Sequence, residues 1–144
     1  MTTLNVGTRH RITTGQWAIL GLVAAALATA AVLAVQAIAL SIWPDAALFK
    51  PLDSYPRTAI FTIIPAFGAT ALFAWLAARR SDPVRSFLGI SGVVLLLSII
   101  PDFILPVPDK TLLASSITAF LHVVAAVVIV GVLVTGYRRY NSPG

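Results

Sequence analysis

A chain of 144 residues that is 58% hydrophobic and only 10% charged, with a mean hydropathy of +0.94, lies outside the range of soluble domains. Its net charge of +5 sits at the ends of apolar runs, so it marks membrane topology and not a nucleic-acid footprint. With no cysteine, the chain has no disulfide, thiolate nucleophile or cysteine metal site, and cannot be a membrane enzyme that works through a cysteine pair.

Residues 1–15 are polar and read as a short cytoplasmic arm, with Thr14 as an N-cap and His10 between Arg9 and Arg11. The first apolar run, 17–43, is longer than the roughly 7–15 residues of a secretory signal and reads as a retained span. It also exceeds the roughly 20 residues a bilayer needs, so it should tilt or project. Residues 44–57 form the longest connection, rich in breakers at Pro44, Pro51 and Pro56. Within it 46–49 is expected to lie along the surface as a short re-entrant or interfacial turn, with Trp43 and Tyr55 as interfacial anchors on either side. The second span covers 58–78. A tight connection at 79–84 follows, with Asp82 as N-cap and Pro83 at the first helical position of the next helix. The third span, 85–105, carries Pro101 near its end, and the connection at 106–110 adds Pro106 and Pro108. The fourth span covers 111–138 and closes on Tyr137-Arg138-Arg139-Tyr140. Residues 141–144 form a frayed tail.

Continuously apolar runs of this length are helices, because a barrel strand would alternate over about 10 residues. The fold expected is an all-α, four-span integral membrane bundle, a single domain over 1–144. Seven arginines (9, 11, 79, 80, 85, 138 and 139) flank one side, against Lys50, Arg57 and Lys110 on the other. The positive-inside rule therefore puts both termini and the 79–84 loop in the cytoplasm, and the 44–57 and 106–110 loops outside a cytoplasmic membrane.

Each span offers a stripe of small residues for close helix approach. These are Gly21, Ala25, Ala28 and Val32 leading to Gln36; Thr58, Thr62, Pro65, Gly68 and Ala69; Gly89 and Gly92 with Ser91 and Ser98 alongside; and Ser115, Thr118 and His122 with Ala125 and Ala126. His122, about 15 Å into the fourth span at 1.5 Å per residue, must find a partner or water. Gln36, at matching depth, is the expected partner. A neutral histidine locking the bundle and a titratable proton or substrate site are both open readings. Asp102 is expected about two helical turns from His122, at the head-group boundary. Together His122, Gln36, Thr118, Ser115 and Asp102 make up the candidate intramembrane polar site. One buried histidine is too little for zinc, which takes three or four ligands. No haem pair, Gly-x-Ser-x-Gly elbow or phosphate-binding glycine loop is present, so neither catalytic residues nor a cofactor is expected.

Arg85-Ser86-Phe87, Leu97-Ser98-Ile99-Ile100-Pro101-Asp102 and Leu121-His122-Val123-Val124-Ala125-Ala126 resemble a family of small four-helix prokaryotic integral membrane proteins, classed as a domain of unknown function. The resemblance spans nearly the whole chain, and its most specific marks are the histidine in the fourth span and the Pro-Asp after the third. It implies the four-span layout and brings no activity to any residue. The reading is a non-enzymatic accessory, assembly or lipid-interacting bundle, with membrane lipids as partners, self-association or a larger membrane complex open, and no nucleic acid. The alternatives are an oligomeric transporter or channel with a polar path around His122, and, ranked below it, a lipid-active enzyme using Asp102 and His122.

Overall fold

A computed structural model describes residues 12–142 and is entirely helical apart from short connections. Its long helices are α1 (Thr14–Ile42), α2 (Tyr55–Arg79), α3 (Pro83–Ile104) and α4 (Leu112–Asn141). All four are long and apolar enough to cross a membrane. The boundaries follow local chemistry. Thr13, one residue before the expected cap, begins α1: its hydroxyl accepts from Gln16 N while Gln16 Oε1 accepts from Thr13 N, the reciprocal pair of a capping box. Ser54 and Thr111 cap α2 and α4. Asp82 caps α3 through Arg85 N at 3.1 Å, with Pro83 at the first position, as expected. The helices run a little past the apolar runs because their caps lie in the flanking polar residues. Arg9, His10 and Arg11 of the expected arm, and Pro143 and Gly144 of the tail, lie outside the described residues. Gly15 belongs to α1 and Asn141 to α4.

The four helices run up and down, so one end of the bundle holds the start of α1, the end of α4 and the α2–α3 connection. The other, the loop end, holds the α1–α2 and α3–α4 connections. α1 packs against α2 and α4, and α3 closes the ring between α2 and α4. The small-residue stripe of α1 is the centre of this packing: Ala24 and Ala28 are completely buried, beside Ala25, Val32 and Gln36. A Cβ on Gly21 would come within 3.1 Å of Thr70, which shows how closely α1 and α2 approach.

Two clusters fill the interior. Near the termini, one ring from each helix meets: Phe73 stacks on Phe87 at 4.4 Å between centroids, and Trp17 and Tyr137 pack on Phe73 at 5.5 and 5.1 Å. Tyr137 is thus part-buried against this cluster. At the loop end, the 44–57 connection folds into 3-10 turns at Pro44–Leu48 and Lys50–Leu52. Its Ala46, Phe49 and Leu52 are buried against Val32, Ala39, Ile117 and Leu121. The segment expected along the surface is a plug, because its Phe49 and Leu52 side chains turn inward over that end of the bundle while Leu48 stays exposed. Trp43 and Tyr55 remain exposed beside it.

α3 is the exception. Six per cent of its most apolar stretch is buried, against 33% in α1 and α4 and 28% in α2. Pro83 and Phe87, both near its start, are its only buried residues. Gly89 and Gly92 have nothing within 4 Å of where a Cβ would lie, and so do not form the contact face expected of them. In α2 the buried face is Thr62, Ala66, Thr70, Phe73 and Leu76, rotated away from the Pro65–Gly68 side of the expected stripe.

Candidate functional site

The loop end of α3 explains how the polar residues come together. Asp102 lies four residues before Pro106, which has no N–H to give the Asp102 carbonyl. Ser115 of α4 supplies that bond instead, its hydroxyl donating to the Asp102 carbonyl at 2.7 Å. Lys110 Nζ donates to the carbonyls of Phe103 and Leu105 at 3.0 and 2.9 Å, placing a cation on the helix C-terminus where the dipole favours it. The turn that brings Lys110 back passes through Asp109 at φ 57°, a left-handed conformation that aspartate tolerates better than most residues.

With α3 fixed there, Asp102 Oδ2 lies 3.4 Å from His122 Nε2. This corrects the expected separation of two helical turns. The backbone spacing was right: Asp102 is level with Ser115, about 10 Å along α4 from His122 at 1.5 Å per residue. Side chains in a helix, however, lean toward its N-terminus. In antiparallel neighbours the Asp102 side chain therefore leans into the bundle, the His122 side chain leans toward the loop end, and the gap closes. The Asp102 side chain is 11% exposed and that of His122 39%, so the imidazole fronts the open space and the carboxylate lies behind it. Asp102 Oδ2 is itself buried without a hydrogen-bond partner.

Gln36 is not the partner of His122. It is completely buried, and its Nε2 donates to the Leu52 carbonyl at 3.0 Å, tying α1 to the plug. Thr118 donates to the carbonyl of Ala114 in its own helix at 3.1 Å. Of the five expected polar residues, the structure brings together Asp102, His122 and Ser115 by direct contact. Thr118 lines the same space, and Gln36 serves the plug.

That space is a cavity of about 570 Å³ beneath the loop end, lined by Lys50, Arg57, Thr62, Asp102, Thr118 and His122 among others. Lys50 and Arg57 were noted in the sequence only as topology markers. The breaker residues that fold the connection over the bundle were the signal that could have placed them at a site. A second cavity of about 560 Å³ runs between α2, α3 and α4 along Pro65, Gly68, Ser91, Ser98 and Ala126. Phe61, Thr62, His122 and Ala125 line both, so the two meet at the imidazole. The second exists because α3 is held at its ends, by Phe87 and by the Ser115 and Lys110 bonds, and stands off in its middle. Among the described residues there is no group of three or more His, Cys, Asp or Glu able to hold a metal.

Residues 7–139 match the model of a protein family described as a family of unknown function (DUF6069). The chain belongs to that family. No curated protein and no solved structure matches it. The match covers most of the length of all four helices and assigns no activity, so function rests on the site itself.

Proposed function

We propose that this member of DUF6069 is a non-enzymatic, lipid-interacting protein of the cytoplasmic membrane. Both termini face the cytoplasm, and its cleft takes up an amphipathic molecule from the bilayer. The observation that carries the reading is the meeting at His122 of two mostly apolar cavities, of which the one under the loop end also holds Lys50, Arg57 and Asp102 and the other runs between α2, α3 and α4. Ligand sites of about 300–1,000 Å³ that are mostly apolar with a few convergent polar groups are the common form, and this pair has that form. The division of charge along the chain supports placing the loop end outside. A transporter with a polar path is supported less well, because beyond His122 the lining is apolar apart from Ser91 and Ser98.

Gly68 offers a direct test. Nothing lies within 4 Å of a Cβ placed there, and the residue lines the cleft. Gly68→Leu should fill the cleft, keep the helical fold by circular dichroism, and lower the lipid that stays bound in native mass spectrometry of the intact chain. Equal bound lipid in wild type and variant would refute the proposal.

A further inference from the structure

We infer that the molecule held in this cleft is a membrane lipid with a net-negative phosphate head, and that the head lies against Lys50, Arg57 and His122. The inference rests on the lipid reading above and adds the ligand's charge. The loop-end cavity is lined by three basic side chains and one carboxylate. That carboxylate, Asp102, is the most enclosed of the ionisable groups there and faces His122, so the cationic groups left to meet a ligand are those of Lys50 and Arg57.

Arg57 is partly committed, since Nη1 donates to the Lys50 carbonyl at 2.6 Å and pairs with Asp53. A guanidinium has five N–H donors, so donors remain for a phosphate oxygen. The Lys50 ammonium is exposed and forms neither hydrogen bond nor ion pair among the described residues; only its carbonyl is engaged. A head with its own cation would set that cation against Lys50 and Arg57, and a net-negative head would not. The apolar half decides the rest. A free phosphate would occupy the charged cavity alone, whereas one amphiphile can place its head there and its chain along Pro65 and Gly68.

The full chain would be placed in phosphatidylcholine nanodiscs doped with phosphatidylglycerol, and its bound lipids read by native mass spectrometry. Wild type should enrich phosphatidylglycerol above its share of the disc. Lys50→Gln should reduce that enrichment about fivefold, the effect of one basic side chain at an anionic surface. Glycerol 3-phosphate added in solution should displace none of it. Equal enrichment in wild type and Lys50→Gln, or displacement by glycerol 3-phosphate, would overturn the anionic-lipid inference alone. Gly68→Leu separates the two levels: if it leaves total lipid unchanged, the cleft reading beneath the inference fails as well.

Discussion

At the scale of single residues, the pivotal bond is the one from Ser115 to the Asp102 carbonyl, because Pro106 leaves that acceptor without its helical donor. Ser115→Ala strands a part-buried carbonyl. It should cost about 1–3 kcal/mol, read as a lower midpoint of thermal unfolding in detergent, with Ser115→Thr recovering most of it. Asp102 and His122 should behave as a unit. In a double-mutant cycle of Asp102→Asn and His122→Ala, the coupling should be about 0.5–3 kcal/mol, and strict additivity would show that the 3.4 Å contact carries no energy. These residues were legible as types, since a histidine and a carboxylate in or beside an apolar run stand out. Their meeting was not legible, because depth counted along the backbone ignores the lean of each side chain. Gln36 was misassigned for a related reason. Its partner is the backbone carbonyl of Leu52, which carries no side-chain signature.

At the scale of elements, two glycines of α4 make opposite predictions. A Cβ on Gly136 would overlap Leu20 Cδ2, whereas one on Gly131 would meet nothing within 4 Å. Gly131→Ala should therefore gain up to about 1 kcal/mol from helix propensity. Gly136→Ala should lose about 1–3 kcal/mol, as overpacked sites do. Thermal unfolding of the two variants side by side would check the pair. The existence of all four helices and the Asp82-Pro83 start of α3 could be read from the chain, because span length and capping are local properties. Which small residues pack was only partly readable. Ala25 and Ala28 do, Gly89 and Gly92 do not, and composition is the same in a packed stripe and an exposed one.

At the scale of the whole molecule, the cysteine-free chain suits a direct measurement of orientation. Leu48 is exposed at the loop end and Ser81 at the α2–α3 connection. In intact cells a membrane-impermeant maleimide should label Leu48→Cys and leave Ser81→Cys unlabelled until the membrane is permeabilised. The reverse pattern would invert the topology. The four-span layout was plain from hydropathy, but the way the connection at 44–57 plugs one end depends on contacts far apart in the chain. The two-point attachment of α3 has a further consequence for how such chains diverge. Positions such as Val93, Leu96 and Leu97 face outward and can exchange one apolar side chain for another with little penalty, while Ala24 and Ala28 have no volume to spare. Descendants of a common ancestor should therefore drift fastest on the outward face in the middle of the third helix and stay nearly fixed at the buried small residues of the first.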